Sequence, residues 1–407
     1  MISIEDIYLT DEGDYTRLNA DIKLDDEEHT VWYEVEKEYA EYLCSERVDA
    51  FVVGLLPMAM AFGHDIVCKK KPISEALYWK LTSIYMPVLS KGTTYYKEIS
   101  IDCDLDDTVF ESFGVGTGFS AGVDSFFTVL KNTKKATRNF NITHVTFFNV
   151  GACGSYGGKV AFDRFQDRIG LFKNTIDELG LKLVLVNSNI SETVMMSYNY
   201  THTFRSISAV LALQKLFKTY YYSAGYPLTR FSLNPEDSAY FDLLNTTCFG
   251  TENTQFFSTG CAESRIEKTK YISEFPITYD VLNVCNSSTV NCRTCEKCIR
   301  TMGGLYALGK LNKYEKVFDV PYFNKHIGKN LGFIIGKLFD GTPEREYYSE
   351  IISTARKNGK RIPMNAFLFA IPYALRNGAY GLARRNRYLR RMVHKRISKT
   401  SGIRFND

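Results

Sequence analysis

Residues Phe113-Gly-Val-Gly-Thr-Gly-Phe-Ser-Ala-Gly-Val-Asp-Ser125 leave an apolar strand through small side chains and enter a helix over 126–131. A strand-to-helix turn of this composition lets backbone N–H groups and a helix N-terminus face an anion, because no bulky side chain blocks the approach. The run therefore predicts a phosphate cradle carried on an α/β sheet.

Outward from this loop, apolar strands alternate with amphipathic helices, the pattern of a parallel sheet wrapped by helices. Strands are predicted over 112–116, 145–150, 182–187 and 219–224, and helices after Asp124, over 162–179 and over 206–217. We read 106–310 as one nucleotide-binding domain. Before it, 1–105 reads as a small α/β unit with strands at 17–24, 30–35 and 98–103 and helices at 37–44, 50–63 and 73–89. Packing, a homodimer contact and a substrate-pocket wall are the roles open to that unit. After it, 311–407 is helical in pattern, punctuated by Pro343, Pro363 and Pro372.

Three nucleotide motifs compete for the loop. The GxxxxGK[ST] signature fails, since no Lys follows Gly122. Gly116, Gly118 and Ala121 meet the spacing of a dinucleotide fingerprint, yet the next strand ends Phe147-Phe-Asn149 with no acid for a ribose. The third motif is Ser120-Ala-Gly-Val-Asp-Ser125. Farther on, four cysteines crowd together as Cys285-x6-Cys292-x2-Cys295-x2-Cys298. Four thiolates close a tetrahedral zinc shell with no position left for water, so such a site is structural, although an iron–sulfur cluster takes the same ligands.

Ser120 to Ser125 resembles the SGGxDS motif of the PP-loop ATP pyrophosphatases, with Ala121 in place of the first glycine. Taken with the cysteine spacing and with Arg300 two residues beyond the last cysteine, 110–310 resembles the 7-cyano-7-deazaguanine synthase family. Ser223-Ala-Gly225-Tyr-Pro-Leu-Thr-Arg230 matches that family's SGYPDCR segment at Gly225, Tyr226, Pro227 and Arg230, and departs from it at Leu228 and Thr229. The resemblance implies a Rossmann-like parallel sheet of the PP-loop type ending in a zinc knuckle. It also implies an ATP-dependent ligase that adenylates a carboxylate, in that family one on a deazaguanine, releases pyrophosphate and passes the acyl group to an amine. On this reading Ser120, Ala121, Gly122, Val123, Asp124 and Ser125 hold ATP, with Asn149 and Gly225 beside it. Asp124 carries Mg²⁺, and Cys285, Cys292, Cys295 and Cys298 carry Zn²⁺. The departures at Leu228 and Thr229 leave open both the acid and the amine, which is ammonia or a larger amine on a protein.

Arg265 and Lys268 lie three apart and share a helix face, where they can meet the charge that grows on a leaving pyrophosphate; ion pairing with Glu263 and Glu267 on a solvated helix is the alternative. His202 is either a substrate-orienting base or a hydrogen-bonded structural histidine. Cys153, in a glycine-rich loop after a strand, is the first thiol to test in a sulfur-transfer enzyme; the alternative is that the loop only lets the backbone approach nucleotide or substrate. Two other functions use the same fold: a tRNA-modifying PP-loop enzyme, and a non-catalytic nucleotide-binding or assembly protein.

Charged residues make up 24% of the 407 and hydrophobic ones 45%, ordinary usage that suggests neither a disordered nor a membrane class. The most apolar run, 50–63, contains Pro57 and falls short of the roughly 20 residues of a bilayer span. The acidic N-terminus lacks the form of an export signal, and ten cysteines clustered unevenly point to metal rather than to a disulfide scaffold. A cytoplasmic protein is the expectation. Its net charge of +4 hides a polarity, since eight Lys or Arg and no acid lie between Arg384 and Lys399. That tail is expected to meet an acidic protein or tRNA.

Overall fold

The structure is a computed structural model that describes residues 1–25, 27–135, 137–285, 287–339 and 344–385, with side chains as far as 377. The side chains of the basic tail, 384–399, lie outside it. The chain forms two compact units, Met1–Glu263 and Ser264–Asp407.

The first unit is built on one ten-stranded sheet. Its strands are β1 (Ile2–Asp11), β2 (Tyr15–Leu24), β3 (Glu27–Glu36), β4 (Ile66–Cys68), β6 (Ile101–Asp102), β8 (Gly114–Gly118), β9 (His144–Asn149), β10 (Lys182–Ser188), β11 (Phe217–Ser223) and β12 (Gln255–Thr259), while β5 (Ile73–Ser74) and β7 (Leu105–Asp106) pair apart from it. The order is β12-β11-β8-β9-β10-β3-β2-β1-β4-β6. From β12 to β10 every pairing is parallel. β3 joins antiparallel to β10, the β1–β2–β3 meander follows, and β4 and β6 add two parallel strands at the far edge. The fold is thus α/β with a large, mostly parallel sheet. Strands from 1–105 and from the nucleotide block share that sheet, and neither 105 nor 310 is a boundary between compact units.

Side-chain periodicity explains the register. Val31, Tyr33 and Val35 are buried at every second position of β3, whereas β9 is buried along its whole length because helices cover both faces. In β1 the buried apolar residues are Ile2, Ile4 and Ile7, and the register shifts between Ile4 and Asp6, a bulge that returns the next apolar residue to the core. That broken alternation hides β1 in the sequence.

The helices of this unit are α1 (Asp49–Phe62), α2 (Glu75–Lys80), α3 (Met86–Gly92), α4 (Val123–Asn132), α5 (Lys159–Glu178), α6 (Ile190–Val194), α7 (Tyr198–Leu211) and α8 (Asp242–Cys248). α1, apolar all round, is buried from Asp49 to Met60 and packs on α7; a Cβ at Gly54 would lie 2.9 Å from the Tyr33 hydroxyl and 3.3 Å from Ser208 Cβ. The helix expected over 73–89 begins only after β5 and then runs unbroken as α2, a π-helical turn (Leu81–Tyr85) and α3, with Pro87 in the first turn of α3. The stretch 37–44 narrows to a 3₁₀ helix (Lys37–Tyr42), and α7 begins well before 206. Residues 198–205 are Tyr, Asn, Thr, His, Phe and Arg, mostly weak helix formers that tertiary packing overrides. Cys68 and Cys103, at the ends of the neighbouring strands β4 and β6, form a disulfide that nothing in their 35-residue separation announces.

The second unit is helical: α9 (Arg265–Ile272), α10 (Glu296–Ala307), α11 (Val320–Lys325), α12 (Ile327–Lys337), α13 (Arg345–Lys357) and α14 (Asn365–Arg385). Gly332 and Gly336 on α12 admit α14 closely, since a Cβ at either would lie 2.6 Å from Phe369 Cβ or 2.3 Å from Tyr373 Cβ. Among the described residues no helix is long and apolar enough to cross a membrane.

Candidate functional site

The predicted phosphate loop joins β8 to α4. The Phe119 amide donates to the Thr146 carbonyl at 2.8 Å, and the buried Phe119 ring packs edge-on against Phe126 and Phe172 at 5.0 and 5.6 Å. This anchor fixes where the loop starts. Ala121 then turns the chain at φ +56°, in the left-handed region that glycine adopts at no steric cost. Gly122 caps α4; its carbonyl accepts from the Phe126 amide and from the Ser125 hydroxyl, both at 3.0 Å. Gly122 is extended at φ −84° and ψ 172°, so the left-handed turn at Ala121 lies between the end of β8 and the first turn of α4, whose leading N–H groups a helix leaves without intrahelical carbonyls. Asp124 stands half-buried in the first turn of α4 and Ser120 is exposed.

The five parallel strands run β10-β9-β8-β11-β12, an order of 3-2-1-4-5 that reverses at β8. Ligands of open α/β sheets bind outside the carboxyl ends of the strands at such a switch point. Ser120 to Ser125, Asn149 and Gly225 all fall on that edge, after β8, at the end of β9 and after β11. Asn149 is buried, and its amide donates to Asn187 Oδ1 at 2.8 Å. On α4, the Thr128 hydroxyl meets Ser223 Oγ at 2.8 Å and Thr259 Oγ1 at 3.2 Å, tying the helix to the ends of β11 and β12.

His202 is held at both ring nitrogens: Nδ1 meets the Tyr222 hydroxyl at 2.7 Å and Nε2 meets Asp237 Oδ1 at 3.0 Å. Asp237 Oδ2 accepts from the Tyr226 hydroxyl at 3.3 Å, and the Tyr226 ring stacks on Tyr240 at 4.4 Å. Burial raises the Asp237 carboxyl, but its hydrogen bond and attraction to His202 bring it below the ordinary range. Asp237 and Asp242 went unnoticed in the sequence because they sit in and after an irregular loop. Cys153 is buried, and burial pushes its thiol up, which suits packing rather than sulfur transfer. Arg205, also unsignalled, is fully buried and donates to the carbonyls of Ser155 and Met196, both at 2.8 Å, and to Ser191 Oγ at 3.1 Å. It braces the glycine-rich loop 151–158, and burial pulls its guanidinium down to about 10.

In the second unit, Cys285, Cys292, Cys295 and Cys298 bring their sulfurs within 4.8 Å of one another, a set that can hold a metal ion. Cys285 Sγ and Cys295 Sγ are 3.9 Å apart, close to the ~3.8 Å edge of a tetrahedron with ~2.3 Å metal–sulfur bonds. The Ser287 and Cys295 amides point at Cys285 Sγ and Cys292 Sγ, 3.4 and 3.3 Å away. Asn291 braces the loop, accepting from the Val284 amide and donating to the Leu282 and Val317 carbonyls. Burial opposes ionisation of Cys292, but the Thr294 and Cys295 amides bring its thiol down, while burial and neighbouring sulfurs push Cys298 up.

Arg265 and Lys268 fall on α9 of this same unit. Glu267 is taken by a capping box with Ser264, and Lys268 is buried. Arg265 lies over the Tyr347 ring at 5.7 Å and Arg300, just beyond the cysteines, over the same ring at 4.8 Å. Both line a cleft with Thr269, Thr301 and Gly304.

No protein family, curated protein or solved structure matches this chain. Its chemistry is therefore read from the residues themselves.

Proposed function

We propose that the protein is an ATP-dependent ligase of the PP-loop type. A substrate carboxylate oxygen attacks the α phosphorus of ATP, the bond to the β phosphate breaks and pyrophosphate leaves. An amine nitrogen then attacks the acyl carbon, AMP departs with the bonding pair, and the nitrogen loses a proton. The observation that carries this reading is Ala121, held at φ +56° in the turn that follows the first strand of a 3-2-1-4-5 parallel sheet. A residue with a Cβ keeps such a conformation only where its surroundings impose it, and these positions gather at ligand clamps. Here the candidate clamp is the start of α4 at the switch point, where a helix leaves its first N–H groups without intrahelical carbonyls, an end suited to phosphates. Asp124 would hold Mg²⁺, which would offset charge on the departing pyrophosphate. The four-cysteine set suits Zn²⁺ in a structural role. The resemblance of 110–310 to 7-cyano-7-deazaguanine synthases names a deazaguanine carboxylate as the first acid to try.

The test is chromatography of products after incubation with ATP, Mg²⁺, a deazaguanine carboxylate and ammonium. AMP and pyrophosphate are expected. ADP as the main product overturns the reading.

A further inference from the structure

A surface helix ordinarily turns its large apolar residues toward the core and its polar ones toward water. In α14 the large apolar residues face out. Ala366, Ala370, Tyr373 and Asn377 share one side of the helix at about 100° of rotation per residue. That side packs on α12: a Cβ at Gly332 would lie 2.8 Å from the Ala366 carbonyl oxygen and one at Gly336 3.1 Å from that of Ala370, while the Asn377 amide donates to the Gly336 carbonyl at 3.1 Å. Phe367, Leu368, Ile371 and Leu375 fall on the opposite side, within an arc of about 100°. All four are exposed, Leu368 at 69% and Leu375 at 70%, and Met364, immediately before the helix, is 83% exposed. A contiguous apolar row left on water marks an interaction site.

Close packing fixes the rotation of α14, because turning the row inward would drive Leu368 or Leu375 into the space that Gly332 and Gly336 keep clear. The row therefore stays on the surface. The charge beside it is of one sign: from Met364 to Arg404 the sequence holds ten Lys or Arg and no acid. A second copy of the chain would bring an equal run of cations against the first, and a nucleic acid would meet the cations while leaving the apolar row in water. An acidic protein pairs the charge but needs a groove shaped to this convex row. A bilayer with anionic headgroups takes both features without such a groove, since an interfacial helix sinks its apolar side to the acyl boundary while neighbouring cations meet the headgroups.

We propose that α14 and the basic run that continues from it are a peripheral anchor for an anionic bilayer. Phe367, Leu368, Ile371 and Leu375 enter the boundary between headgroups and acyl chains, and the cations between Arg376 and Arg404 meet the headgroups. The helix lies in the plane of the surface rather than across it. Neither signal suffices alone, because four side chains bury little apolar area and surface charge is screened beyond about 8 Å in physiological salt. Attachment is thus reversible and needs both. It belongs wholly to the second unit and does not rest on the ligase reading.

Co-sedimentation of the full chain with vesicles of phosphatidylcholine alone, and of phosphatidylcholine with about 30% phosphatidylserine, tests the proposal. The partition coefficient is expected to be about tenfold or more higher on the anionic vesicles, and to fall about tenfold between about 0.1 and 0.5 M salt. Leu368→Gln together with Leu375→Gln places a good helix former at two exposed sites, and should lower partition about tenfold with helix content unchanged by circular dichroism. Replacing Arg390, Arg391, Lys395 and Arg396 by Gln should lower it about as much. Equal partition into the two kinds of vesicle overturns the proposal, as does unchanged binding by the double leucine variant. Binding to neither kind overturns it in favour of an acidic protein partner. A dimer seen by sedimentation velocity and dissolved by the double leucine variant also overturns it, since a second copy would then cover the row.

Discussion

The Ser120 amide donates to the Ser125 hydroxyl oxygen at 3.4 Å, while that hydroxyl donates to the Gly122 carbonyl at 3.0 Å. The two ends of the loop are thereby closed on each other around Ala121, and the helix start is fixed relative to the end of β8. On the ligase reading proposed above, closure of this kind fixes the loop before a ligand arrives, which is what electrostatic preorganisation requires.

Ala121→Gly should relieve strain. A side chain in the left-handed region costs roughly 1–2 kcal/mol, whereas glycine loosens the unfolded chain by about 0.4–1 kcal/mol. The strain term is the larger, so the variant should melt at a slightly higher temperature. Ala121→Val, branched at Cβ, should lose stability instead. A melting temperature that falls for glycine and rises for valine would contradict the left-handed turn.

Asp124→Asn should stop AMP formation and leave the fold intact. The side chain is half-buried in the first turn of α4, so loss of its charge there costs about 1 kcal/mol or less. Unchanged ATP cleavage in a folded Asp124→Asn chain would exclude this carboxylate as the Mg²⁺ ligand.

How much of this was legible follows from where each signal resides. The loop and the strands β8 to β11 are marked by local composition, because strands covered on both faces read as continuous apolar runs. Four cysteines within fourteen residues likewise announce their convergence. β12 carried no comparable run, and the bulge in β1 broke its period. His202, Asp237 and Asp242 meet only through tertiary folding: 35 and then 5 positions separate them, and no motif links a helix to the loop beyond the next strand. The convergence of Arg265 and Arg300 on Tyr347 was out of reach for the same reason, although both arginines had been singled out.

The cysteine cluster should yield about one zinc per chain by elemental analysis. Cys298→Ser removes a ligand that is fully buried at the first turn of α10, so both metal content and soluble yield should fall. Iron with visible absorbance would reassign the site to a cluster.

Arg47 is the stability hinge of the first unit. It is 1% exposed and binds Asp106 Oδ2 at 2.5 Å, Glu252 Oε2 at 2.9 Å and the Thr108 carbonyl at 2.5 Å. Arg47→Met leaves two carboxylates facing each other without a cation, and breaking a buried pair in this way costs about 3–5 kcal/mol. Urea denaturation should show the midpoint falling accordingly. A change within error would mean that solvent reaches Asp106 and Glu252 well enough to replace the guanidinium.

Asp242→Asn should make the protein more stable at neutral pH, and the sign is fixed by linkage. Burial raises the folded-state carboxyl to about 6 from an ordinary value of 3.8, so the native state holds the proton more tightly than the unfolded chain does. The stability due to this proton is fully present below about pH 4 and is lost as the pH rises through about 6, amounting to about 3 kcal/mol for a shift of this size. Asparagine has no proton to lose, so its advantage over the parent should be absent near pH 4 and complete near pH 8. Asp49, also raised to about 6 by burial, is common to both chains and cancels in the difference. His202, Asp237, Tyr222 and Asn245 face Asp242, and because the His202 ring attracts the Asp242 carboxylate, the comparison is repeated in a His202→Asn background to separate the two. Melting temperatures measured across this range decide the matter. A parent and variant that differ by the same amount at every pH would mean that His202, Thr203 and Asn245 already balance Asp242 in the folded chain.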